Sequence, residues 1–276
     1  MKAPVLILSI LLLFSAAFSA SPNYSIEAIR YGTIPQFPVS ELVVGAPENE
    51  RMDIAMVFWL VRGEGRLILL DTGFHRKRWF ESFKITDFLR PDEAVRQAGV
   101  DPAKITDIIL SHAHWDHMGG IDLFPQATIW IQKDEYGYYT GPAWQKGGES
   151  GGIDPDDLAE LLLRNTRGKV TLIDGDGQEI IPGIRVFVGG RHTYSSQYIR
   201  VEGDPVFVLA SDNCYLFRNL ETRAPITTFE PADAAANVKA LDRMVSLAGA
   251  PERVVPGHDP LIFKRFPTRG RVAKIK

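Results

Sequence analysis

SHAHWDHMGG, residues 111–120, places three of the chain's six histidines and an aspartate within positions 112 to 117. The preceding run ITDIIL, residues 105–110, reads as a buried strand, so the cluster begins where a strand ends. Side chains alternate sides in extended backbone, which puts His112 and His114 on one side, two residues apart. Such a pair can hold one metal ion together. The chain must then turn, and the adjacent Asp116 and His117 can face a second ion nearby. Gly119 and Gly120 let backbone pass closely at the start of the next element. Imidazole and carboxylate donors suit zinc first, and also iron, manganese or cobalt.

Six positions cannot close two coordination spheres, so the remaining donors must come from elsewhere. His192 follows IRVFVGG, Asp212 follows VFVLAS, and His258 lies in VVPGHDP. Each is a polar residue just beyond an apolar strand, where a sheet edge can present a ligand. Taken singly, each reads as a structural residue rather than a ligand; taken with the cluster, they make a set. Only His75 is left over, and its neighbours Arg76, Lys77 and Arg78 give it a solvent-facing setting.

The pattern HAHWDH, His-x-His-x-Asp-His, resembles the signature of the metallo-β-lactamase superfamily. LLDTG (69–73), that signature, then a histidine, an aspartate and a final histidine in GHD follow the order of the whole superfamily series. Within it the chain is most similar to the acyl-homoserine lactonases, through IQKDEYGYY (131–139), SDNCY (211–215) and VVPGHDP (254–260). The resemblance spans about residues 54–266. It implies an α/β fold, an αββα sandwich of two mixed β-sheets flanked by helices. It also implies that His112, His114 and His192 hold one divalent ion and Asp116, His117 and His258 a second. Asp212 would bridge both, Tyr215 would point into the site, and Asp71 would orient a ligand histidine from behind. The activity implied is hydrolytic opening of the lactone ring of N-acyl-homoserine lactones, which are bacterial quorum signals, by a metal-activated hydroxide. Tyr215 would donate to the developing oxyanion and Asp116 would pass a proton to the leaving alkoxide. One departure stands out: where the family reads GHTPGH, this chain reads GRHTYSSQ (190–197). Arg191 replaces the preceding glycine, and Tyr194, Ser195 and Ser196 replace Pro-Gly-His, while His192 and Thr193 stay in register. Rival readings on the same scaffold are a β-lactamase, a thioesterase, or an aryl-ester or organophosphate hydrolase. Outside catalysis, the rival is a metal-binding protein without turnover.

The rest of the sequence bounds these readings. The 276 residues are 45% hydrophobic and 24% charged, enough for a sizeable core in one large domain. The start, MKAPVLILSILLLFSAAFSASPNYS, has one lysine, a short apolar centre and a small-residue exit. That is the layout of a secretory signal peptide over residues 1–19, followed by a hydrolase domain over 20–276. The expectation is an exported, periplasmic or secreted bacterial protein without stable membrane association once the signal is removed. A net charge of −3 offers no electrostatic handle for nucleic acid. The single Cys214 excludes an intrachain disulfide and reads as a small core residue. The sequence sets no oligomeric state.

Short runs rich in Val, Ile, Phe and Tyr, each closed by Gly, Asp or Asn, read as strands in two batches. Helices are expected at PDEAVRQAG, DPDDLAELLLRN and PADAAANVKALDRMVSLAG, each opening on Pro and Asp and closing on Gly or Asn. The aromatic segment 74–91 is either a lid over an acyl chain or a helix whose aromatics face the core. Residues 136–155, aromatic then glycine-rich, read as a mobile loop beside the site.

Overall fold

The computed structural model describes residues 22–276, so the expected signal segment, residues 1–19, lies outside the described residues. In chain order the strands are β1 (Ser25–Pro38), β2 (Arg51–Gly63), β3 (Arg66–Leu70), β4 (Asp107–Ile109), β5 (Thr128–Gln132) and β6 (Val170–Ile173). Then come β7 (Gln178–Ile181), β8 (Ile184–Val188), β9 (Gln197–Val201), β10 (Phe207–Ser211), β11 (Val254–Pro256), β12 (Thr268–Arg269) and β13 (Val272–Lys274). One sheet runs β12-β13-β1-β2-β3-β4-β5-β6 and the other β11-β10-β9-β8-β7. Both are mixed: β3 to β6 pair in parallel beside antiparallel β1 and β2, and β10 pairs in parallel with β11 but antiparallel with β9.

The apolar run of β2 shows why two sheets are needed. Ala55, Val57, Trp59 and Val61 pack between the sheets against Val186, Ile199, Leu209 and Val255. Met56, Phe58 and Leu60 face the other way, into a second core under the helices. A strand buried on both faces shows no polar alternation, and this one has none. The helices that cover the first sheet include α1 (Arg78–Phe83), α2 (Pro91–Gln97), α3 (Trp115–Met118), α4 (Lys133–Tyr139) and α5 (Pro155–Thr166). Next follow α6 (Phe217–Thr222), α7 (Ala234–Ala248) and α8 (Ile262–Arg265). In α7, Ala240, Leu241, Met244 and Ala248 recur every three or four residues and pack on Val208, Ala210 and Tyr198 of the second sheet. Gly249, at φ 78°, ends that helix. The order of layers is helix, sheet, sheet, helix, as the sequence implied. Among the described residues no helix is long and apolar enough to cross a membrane.

Two expectations about loops are corrected. Residues 136–139 belong to α4, and a 3-10 turn follows at Pro142–Trp144, where Trp144 Nε1 donates to the Tyr139 carbonyl at 2.6 Å. His75 is not simply solvated: its ring sits 2.9 Å from Asp122. In the aromatic segment, Trp79, Phe80 and Phe83 pack against the core, and Trp79 and Phe83 both stack on Trp115. Arg76 and Arg78 pin that cover to Asp154, Asp156 and Asp157 around the start of α5. Cys214 is a buried free thiol, as expected.

The glycine after the histidine cluster is required by space. A Cβ on Gly120 would lie 2.3 Å from the Thr72 carbonyl oxygen, which no backbone tolerates unmoved. Gly120→Ala is therefore expected to lose about 1–3 kcal/mol or more of stability. A urea melt with an unchanged midpoint would show that the close approach does not matter.

Candidate metal centre

The strand directions bring the chemistry together. β3 and β4 run in parallel, so Asp71 and the 111–117 segment leave the first sheet at one edge. β8, β10 and β11 share a direction in the second sheet, so His192, Asp212 and His258 leave it at one edge. Ser211 Oγ donates to Asp71 Oδ2 at 2.9 Å and meets Ser111 Oγ at the same distance, joining the two edges.

All seven sequence-designated donors converge there. His112 Nε2 and His192 Nε2 lie 3.1 and 3.0 Å from His114 Nδ1, and Asp212 Oδ2 is 3.8 Å from His112 Nε2 and 3.4 Å from His192 Nε2. On the other side, Asp116 Oδ2 lies 3.3 Å from His117 Nε2 and 3.7 Å from His258 Nε2. Asp212 Oδ1 completes that side, 3.3 Å from His117 Nε2 and 3.0 Å from His258 Nε2. The atoms form two groups, His112, His114, His192 and Asp212, and Asp116, His117 and His258, each with its ligand atoms within 4.8 Å of one another. Asp212 thus turns one oxygen to each group.

The hydrogen bonds behind the rings fix their tautomers. His258 Nδ1–H donates to the Ala55 carbonyl at 2.9 Å, His117 Nδ1–H to Asp71 Oδ2 at 2.9 Å, and His112 Nδ1–H to Ser111 Oγ at 2.8 Å. Each leaves an Nε2 lone pair facing the centre. Asp71, itself at φ 63°, also accepts from the Ser111 amide and hydroxyl, both at 2.8 Å. Burial pushes His112, His114 and His192 down, to about 3 for His114, and neighbouring imidazoles add to the effect. Burial acts the same way on His117 and His258, but Asp116 and Asp212 beside them win and push both up. His117 Nε2 and Asp212 Oδ1 are buried, and their close contacts with each other, with Asp116 and with His258 lack hydrogen-bond geometry. Buried polar atoms left in that state are costly. A cation between them satisfies both, so these residues fit a divalent metal.

The family profile of the metallo-beta-lactamase superfamily matches residues 57–258. The chain belongs to the metallo-beta-lactamase superfamily. Among curated relatives, the N-acyl homoserine lactonase AttM of Rhizobium johnstonii is 30% identical over 178 residues, covering 63% of this chain and 65% of that protein. The match thus spans slightly under two thirds of that relative's length. An N-acyl homoserine lactonase of Bacillus cereus is 28% identical over 202 residues, 68% of this chain and 75% of that protein. A solved N-acyl homoserine lactone hydrolase, with N-hexanoyl-L-homoserine bound at its catalytic metal center, aligns with a TM-score of 0.73 at 21% identity. That alignment covers 90% of this chain and 98% of the other, and shows a common fold.

The departure from the superfamily pattern around the third histidine has a structural account. Arg191 takes φ 57°, the left-handed region where the family pattern has glycine. Its guanidinium sits 3.1 Å from Asp233 and over the rings of Tyr194 and Phe229, and its carbonyl accepts the Phe229 N–H at 2.6 Å. Ser196 Oγ accepts the His192 N–H and donates to Asn213 Oδ1 at 2.8 Å. New contacts therefore hold His192 where the superfamily member needs it.

Sequence reasoning missed several supports. Tyr31 reaches from β1 to donate to the Asp116 carbonyl at 2.8 Å, and Thr72 Oγ1 donates to the His117 carbonyl at 2.9 Å. Gly152 presses on the His114 ring, where a Cβ would stand 2.7 Å from the ring carbon. Five of the seven donors, His114, Asp116, His192, Asp212 and His258, line a cavity of about 370 Å³.

Proposed function

We propose that this chain is a two-metal hydrolase that opens the lactone ring of N-acyl homoserine lactones. The observation that carries the reading is Asp212, whose two carboxylate oxygens face separate imidazole groups at the floor of an apolar cavity. The names of the relatives support the substrate class. His112, His114 and His192 would hold one ion, Asp116, His117 and His258 the other, and Asp212 would serve both. Zinc suits this donor set best, with iron, manganese and cobalt also accommodated. Bound there, a divalent pair supplies Lewis acidity and an activated water for ester hydrolysis.

The chain's own groups do the rest. The Tyr215 oxygen lies 3.3 Å from His192 Nδ1, and accepting that N–H leaves its own O–H free to donate into the cavity, toward the substrate carbonyl oxygen. Asp116 stays ionised: burial opposes this, but His117 and His258 prevail and hold its carboxyl below the usual range. It would take the proton released by the attacking water and pass it to the leaving alkoxide. Ile34, Phe37, Leu42, Ile54, Phe83 and Trp115 give the acyl chain an apolar wall.

Among the described residues no lysine or arginine lines the cavity. The wall thus offers no cationic side chain of its own to the carboxylate that penicillins and cephalosporins carry. A panel of acyl homoserine lactones, aryl esters, thioesters, phosphotriesters and β-lactams, run on the metal-loaded protein, is expected to give its highest kcat/KM on the lactones. Chelation should abolish that activity and added metal restore it. Turnover of β-lactams alone would overturn the reading. The proposal extends to export, resting on residues 1–19 alone; N-terminal sequencing of secreted protein tests it.

A further inference from the structure

Glu135 is a fully buried carboxylate that the chemistry above leaves unused; it is 1% exposed, and its hydrogen bonds go to Ala113, Thr193 and Ser195, none of them one of the seven donors. It projects from the first turn of α4. Its Oε1 accepts the Ala113 N–H at 3.0 Å and the Thr193 hydroxyl at 2.7 Å, and its Oε2 accepts the Ser195 N–H at 2.6 Å. Ala113 stands between His112 and His114, and Thr193 follows His192. One side chain therefore ties together the two backbone segments that carry all three imidazoles of the first group. None of the three bonds falls within α3, which carries Asp116 and His117, or on the segment bearing His258. Among the described residues no cation pairs with it, and burial lifts its carboxyl to about 7 against the pull of the three donors. A buried carboxylate without a counter-charge is costly for a fold to keep even when it accepts hydrogen bonds. A fold that needed only a filled space at this position would do better with an apolar residue.

We propose that Glu135 is a positioning residue for the first metal group, clamping the backbone at 113 and at 193–195 so that three imidazoles meet at one point. Asp71 plays the matching part for His117 on the other side. The inference rests on the two-ion reading but not on the identity of the substrate. Glutamine keeps the shape but replaces one acceptor oxygen with an amide NH2. With the amide oxygen serving Ala113 and Thr193, the NH2 would face the Ser195 N–H, donor against donor. At least one clamp bond is then lost.

The test is calorimetric titration of metal-free protein with Zn²⁺ and with Co²⁺. Each group is isolated in turn, the first by His258→Ala and the second by His192→Ala. In the His258→Ala background, Glu135→Gln is expected to weaken binding by about 10–100-fold, the range for groups that orient ligands from behind. In the His192→Ala background the change should stay within about threefold, small beside that range. Thr193→Val, which removes one bond of the three, should fall between wild type and Glu135→Gln in the first background, and serves if the glutamine variant does not fold. Equal weakening in both backgrounds, or none in the first, would overturn the proposal. Wild-type protein that takes up fewer than two ions would instead overturn the two-ion reading beneath it.

Discussion

Asp212→Ala is expected to retain at most one divalent ion per chain and to lose at least about a hundredfold in kcat/KM, beyond what losing an orienting group costs. The carboxylate is the one group that both donor sets share. Its Oδ1 lies 3.0 Å from His258 Nε2 and its Oδ2 3.4 Å from His192 Nε2. Two dications held this close repel, and the negative charge between them offsets that repulsion. Alanine removes the charge and also empties one ligand place on each side. The side with fewer imidazoles, built on Asp116, His117 and His258, should release its ion first. Asp212→Asn separates charge from shape: it keeps the volume, and should still lose most of the second ion. Metal analysis of dialysed protein beside steady-state kinetics checks both variants. Two ions retained with full turnover would remove Asp212 from its shared role.

Tyr215→Phe is expected to lower kcat by roughly 10²–10³, about 3 kcal/mol or more, the usual effect of deleting one donor to a developing oxyanion. Metal content should not change, because the phenol meets His192 at Nδ1, on the opposite side of the ring from the Nε2 that faces His114 and Asp212. A phenol ordinarily keeps its proton through neutral and mildly alkaline pH, and burial pushes that of Tyr215 further up. The variant's rate should consequently fall by the same factor at neutral and mildly alkaline pH. Unchanged kinetics would remove Tyr215 from the mechanism, and a loss of metal would make it a support for His192 instead.

The parts of this structure that were legible in the sequence are those with a local signal. HAHWDH announces itself by density, and His192, Asp212 and His258 by their position just past apolar strands. Two sheets follow from strand runs without polar alternation, such as that of β2. The missed groups lack any such signal. Glu135 sits in KDEYGYY, where it looks like one more surface acid of a helix start, and only the packing of α4 buries it. Ala55 contributes a carbonyl, which no side-chain pattern reveals. Tyr31 acts across 85 positions from β1. The C-terminal hairpin, TRGRVAK, forms strands because β1 offers an open edge, not because its residues alternate.

That hairpin sets an order of assembly. β13 zips onto β1, so Val272 lies across from Ile29, and His258 hangs its ring from Ala55 of β2. The last imidazole is thus locked by a partner synthesised some two hundred positions earlier. Synthesis must pass His258 before both halves of the centre exist, so capture of a full complement of ions cannot precede that point. Folding dominated by such distant pairings is slow, and the emerging, unloaded chain has a correspondingly long interval in which to need protection.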